Sequence, residues 1–154
     1  ALQAKDLARR HESRLAQSWY DVTRNHRLRH AIEVRHASFA CADFIARLRR
    51  HRVALVVADT AGRWPLLEDV TAGFMYLRLH GDKELYASGY DDAALDDWER
   101  RIRAWQRGGE PRGARIAGTG TPPRRKHRDV YCYFDNDSKV KAPFDAMRLA
   151  KRLR

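Results

Sequence analysis

The chain is short of the features that define several protein classes. Its two cysteines, Cys41 and Cys132, stand far apart among 154 residues. That excludes a disulfide framework, a zinc-finger spacing and a paired redox motif. No apolar run approaches the roughly 18 residues of a membrane-spanning helix. The sequence as it stands opens on no signal-peptide pattern, so a cytoplasmic, reducing setting is expected. Lysine is scarce, with 6 residues against 25 arginines. Chemical signatures are missing too. His11-Glu12 begins like a zinc-protease helix, but Leu15 stands where the second histidine is required. Gly118-Thr119-Gly120 is followed by no phosphate-loop lysine, and Ser38 and Ser88 lack the setting of a nucleophile elbow. His36, His80, Asp59 and Glu33 show no metal-ligand spacing, so no metal is expected. No residue pattern names a cofactor.

What the chain does have is a strand–helix alternation. Strand-like runs occupy Ala31 to His36, Val53 to Asp59, Gly73 to His80 and Asp129 to Asn136. Helical patterns are expected over residues 2–20, with Leu7, Leu15 and Trp19 as contacts, and from Ala42 to His51 through Phe44, Ile45 and Leu48. Leu95, Trp98, Ile102 and Trp105 recur at three and four residues and predict the clearest amphipathic helix, capped by Asp91 or Asp92 and ended by Gly108-Gly109. A last helix should carry Phe144, Met147 and Leu149. The segment 108–128 is rich in Gly, Pro and Arg and predicts a flexible basic loop.

Such a βα repeat is how an α/β barrel is built, with its chemistry at the strand C-termini. A barrel typically needs about 250 residues, so the chain is expected to be one domain supplying roughly the C-terminal half, four βα units, of a TIM-type (β/α) barrel. An N-terminal half or a second copy would complete it. Strand parity sorts the side chains. Met75, Leu77 and Leu79 oppose Tyr76, Arg78 and His80; Val130, Cys132 and Phe134 oppose Tyr131, Tyr133 and Asp135. The outer face must pack on helices, so the polar parity should point inward, with Glu33 and Arg35 joining it and Asp59 adding a carboxylate near the mouth. Glu33, Asp59 and His80 are the candidate catalytic groups. Arg35, His36, Tyr76, Arg78, Tyr133 and Asp135 are the candidate anion- or substrate-binding groups.

These runs resemble a known family. Glu33-Val34-Arg35-His36-Ala37-Ser38-Phe39, Ala58-Asp59-Thr60-Ala61, Tyr76-Leu77-Arg78-Leu79-His80-Gly81, Val130 to Asp137 and Ala142-Pro143-Phe144-Asp145-Ala146 are similar to the DUF72 (YecE-like) proteins, in the same order. The resemblance implies a bacterial TIM-type barrel without an established activity. It departs at Ala37 and Phe39, where proline and tryptophan are frequent, and at Asp135, where asparagine is common.

Three functions fit the residues. One is a barrel site acting on a phosphorylated or sugar-like small molecule. Another is nucleic-acid binding or processing, suggested by the net charge of +11 and the run Arg124-Arg125-Lys126-His127-Arg128. The third is a scaffold whose polar interior only holds the sheet together.

Overall fold

A computed structural model describes Asp6, Arg10 and residues 24–154. The helix expected over 2–20 lies, those two residues apart, outside that range. The elements in chain order are strand β1 (Ala31–Ile32), a 3₁₀ turn (Ala37–Phe39), helix α1 (Ala42–His51), strands β2 (Ala54–Asp59) and β3 (Phe74–Leu79), helix α2 (Asp92–Gln106), strand β4 (Asp129–Phe134) and helix α3 (Ala142–Leu153). The strands form one parallel sheet in the order β1-β2-β3-β4, so all four C-termini lie along the same edge.

The first strand is shorter than its sequence pattern predicts. Pairing with β2 stops after two residues, and the chain then turns through the 3₁₀ segment. The connection from Gly62 to Asp69 contains no helical turn.

The helix-facing side of the sheet holds the main core. Met75, Leu77 and Leu79 pack with Val57, Leu95, Trp98, Ile102, Trp105 and Leu149, all 6 % exposed or less. Both tryptophans are therefore core anchors, as their spacing implies. A second cluster puts Ile45 and Leu48 of α1 on Leu55 and Leu67. In α3 the expected stripe is only partly realised: Leu149 is buried, while Phe144 and Met147 are exposed. Asp145 takes the buried position instead, accepting bonds from the Tyr90 N–H at 3.0 Å and the Asn136 amide at 2.9 Å. Cys132 packs against the core, and burial pushes its thiol up to about 12.

The caps follow the sequence. The Asp91 carboxylate accepts from the Ala94 N–H at 2.9 Å and starts α2. After its end Gly108 has φ +80°, and a Cβ there would lie 1.8 Å from the Arg125 carbonyl oxygen. Only glycine fits.

The segment 108–128, expected to be a flexible basic loop, makes hydrogen bonds at several points along its length. Glu68 accepts from the Arg115 N–H, and Asp69 accepts from those of Ala117 and Gly118. Arg49 donates to the carbonyls of Thr119 and Gly120. Arg128, 3 % exposed, donates to the carbonyls of Trp105, Gly108, Gly109 and Pro123. Its basic charge is thereby turned inward to close the C-terminal end of α2.

Candidate functional site

Two strand ends and the residue following β1 build one charged cluster. Arg78 near the end of β3 reaches sideways in both directions. Its Nη1 donates to Glu33 Oε2 at 2.6 Å, and its Nε donates to Asp135 Oδ2 at 2.7 Å. Arg35 donates from Nε to the other Glu33 oxygen at 2.8 Å, and its guanidinium lies 4.4 Å above the Trp64 ring. Burial alone would raise the Glu33 carboxyl, but the bonds from Arg78 and Arg35 outweigh it and hold it below the ordinary range.

His80 sits beneath this network with no solvent exposure. Its Nε2 is 3.9 Å from Glu33 Oε2 and its Nδ1 is 3.7 Å from Asp135 Oδ2. Trp64 and Tyr86 meet its ring edge-on at 6.2 and 5.3 Å between ring centres. Neither ring nitrogen has a hydrogen-bond partner among the described residues. Burial lowers its pKa and the Arg78 charge lowers it further, against the pull of Asp135 and Glu33. The imidazole is therefore neutral near pH 7.

The sign of that shift fixes a pH dependence. A folded-state pKa below the unfolded value means that the unfolded chain binds more protons between the two. The stability due to neutral His80 is present above about pH 6.5 and is lost as pH falls through the lowered folded value. Urea midpoints followed from pH 8 downward should fall more steeply for the wild type than for His80→Gln. Parallel curves would remove the assignment.

Below the charged cluster, the sheet face opposite Met75, Leu77 and Leu79 is aromatic. Tyr76 and Tyr133 stack at 5.1 Å, Tyr131 lies 6.5 Å from Tyr76, and Phe74 meets Tyr131 edge-on. With Arg29, Arg78, Glu33 and Asp135 these rings line an open concavity of about 690 Å³.

Seven expected site residues thus come together: Glu33, Arg35, Tyr76, Arg78, His80, Tyr133 and Asp135. Two do not join them. Asp59 shares its parity with Leu55 and Val57, so it emerges on the helix side of the sheet, where the Tyr90 hydroxyl donates to it at 3.0 Å. There burial raises its pKa, while the bond from Tyr90 opposes the shift. His36 is exposed and accepts from the Ser38 N–H at 3.2 Å, capping the 3₁₀ turn. Among the described residues, no contact ties His36 to the cluster. Trp64, Tyr86 and Arg29 complete the surroundings without being foreseen, because each approaches from a loop whose path strand parity does not predict.

The model of the family described as "Protein of unknown function DUF72" matches residues 3–154. The chain belongs to the DUF72 family. No curated protein matches it. A DUF72 protein of Thermotoga maritima is 22% identical with a TM-score of 0.66, the alignment covering 82% of this chain and 46% of that one. A DUF72 protein of Enterococcus faecalis is 18% identical with a TM-score of 0.63, covering 82% and 47%. These likenesses show the α/β fold with its parallel sheet. The chain spans about half the length of the DUF72 structures it matches. In this DUF72 chain no helix of the described residues is long and apolar enough to cross a membrane. Nor do three His, Cys, Asp or Glu residues among them group to hold a metal ion.

Proposed function

We propose that the chain supplies about half of a TIM-type barrel, and that the cluster around His80 is a binding site of enzyme type for a phosphorylated or sugar-like small molecule. The observation that carries this is His80: a fully buried imidazole, both nitrogens without a hydrogen-bond partner among the described residues, set within 4 Å of two carboxylates. A purely structural histidine is expected to satisfy at least one nitrogen. Edge strands without a further partner among the described residues, and relatives about twice as long, support the barrel.

The division of labour follows from the hydrogen bonds. Arg78 spends donors on both carboxylates, so it positions Glu33 and Asp135 rather than receiving an anion. Arg35 uses only Nε on Glu33 and keeps its terminal nitrogens for a phosphate or carboxylate. Neutral His80 acts as a general base, ionised Glu33 at 3.9 Å stabilises the imidazolium that forms, and Tyr76 and Tyr133 offer a ring face to a sugar.

A thermal-shift panel of phosphorylated and unphosphorylated sugars tests this. The wild type should shift with a phosphorylated member. Arg35→Ala should lose the shift while its unliganded midpoint moves by about 2 °C or less, as for an exposed side chain. Arg78→Ala should lose the shift and cost about 1–3 kcal/mol, because two carboxylates lose their shared donor next to solvent. A wild type that responds to nothing, beside an Arg78→Ala variant that is only less stable, would leave the cluster as a scaffold.

A further inference from the structure

The opposite end of the sheet carries a different surface. Just before the strands begin, a groove of about 530 Å³ is lined by Arg27, Arg29, Arg52, Arg125, His30 and His51. Its one acidic lining residue, Asp129, is already bonded to Arg29 at 2.7 Å. The basic character continues past the groove onto exposed Arg47 and Arg50 of α1 and along exposed Arg124, Lys126 and His127. By contrast Glu33, Asp59 and Asp135 all lie at or just beyond the C-terminal ends of the strands.

Helix polarity accounts for a part of this charge, since Arg49, Arg50 and His51 complement the C-terminal end of α1. Arg52 is the C-cap of the same helix, but helix polarity does not account for Arg27 or Arg125, which stand in no helix and at no helix cap. Arg125 lies over Gly73, whose ideal Cβ would come 3.1 Å from the Arg125 Nε, so the absent side chain there leaves room for the guanidinium. Like charges so gathered repel one another, and an anion between them relieves the repulsion. Guanidinium groups present paired donors that match phosphate oxygens.

We propose that this basic face binds the phosphodiester backbone of a nucleic acid, its arginines beyond Arg29 lying apart from the small-molecule concavity, which shares only Arg29 and Phe74 with the groove. Its extent beyond the groove favours a polymer over a single phosphate. A membrane surface is the weaker match, because Leu28 is the one exposed large hydrophobic side chain lining the groove, where surface-seeking segments carry several. Contacts of this kind position the polymer without reading its sequence.

The test uses a labelled oligonucleotide duplex, followed by fluorescence anisotropy at two or more salt concentrations. The probes are the wild type, an Arg52→Gln/Arg125→Gln double variant and an Arg112→Gln/Lys151→Gln double variant of equal charge. All four substituted side chains are exposed, and circular dichroism confirms the fold; a misfolded double variant is replaced by Arg27→Gln alone. Binding should weaken with salt at about −0.9 in logarithmic slope per phosphate engaged. The groove variant should bind about tenfold more weakly and lose roughly two from that slope, while the control stays near the wild type. Equal losses in both doubles, no duplex binding at low salt, or binding to anionic vesicles alone would overturn the proposal. An Arg35→Ala variant that binds the duplex like the wild type separates this face from the site around His80.

Discussion

Glu68→Ala should lower stability by about 3 kcal/mol, seen as a urea midpoint well below the wild type and a thermal midpoint lower by about 6–12 °C. Glu68 has no exposed surface. One carboxylate oxygen accepts from Arg101 at 2.5 Å and the other from the Arg115 N–H at 2.9 Å. Removing the carboxylate strands a mostly buried guanidinium and a backbone donor together, and breaking such a pair costs about 3–5 kcal/mol. The lower end applies because Arg101 keeps its bond to Asp97 at 2.6 Å. Glu68→Gln retains an acceptor for one of the two donors and should lose less. A midpoint unchanged in the alanine variant would show that the Arg115 segment is not held by this carboxylate.

Trp105→Ala should cost about 3–5 kcal/mol, the range for emptying a fully buried aromatic site. The ring has no exposed surface and packs where α2 meets β3. Its indole nitrogen has no hydrogen-bond partner among the described residues, so the loss is one of packing. Trp105→Phe separates the two contributions: it keeps most of the apolar volume and discards the unpartnered N–H. Calorimetry or urea denaturation should find it within about 1.5 kcal/mol of the wild type. A phenylalanine variant as unstable as the alanine one would mean that the indole N–H carries weight.

The helix side of this fold is legible in the sequence because periodicity reports burial. Leu95, Trp98, Ile102 and Trp105 announce α2, and alternation in β3 and β4 brings Arg78 and Asp135 to one face. Parity also decides Asp59. Its kinship with Leu55 and Val57 outweighs its position at a strand end, and the mouth location expected for it fails for that reason. Glu33 lies beyond the reach of parity, since β1 ends at Ile32; it enters the cluster through Arg78. Trp64, Tyr86 and Arg29 are illegible for a similar cause: loop paths follow from tertiary packing, not from local spacing. The exposed Phe144 and Met147 show the limit of an apolar stripe, where Asp145 wins the buried place by satisfying three donors, the Tyr90 N–H, the Asn136 amide and Arg148.

The brevity of β1 has a kinetic consequence. Hydrogen exchange and local opening begin where few backbone bonds hold an element, and β1 contributes two paired residues against the six of β3. Yet Glu33, which joins Arg78 to Arg35, stands on the residue that follows it. The charged cluster is therefore assembled on the most easily released seam of the sheet, while β3 and β4 stay closed beneath it. Breathing of that seam would carry Glu33 and Arg35 away from Arg78 and His80 while the Arg78–Asp135 bond holds, so access to the cluster and its partial dissolution are one motion.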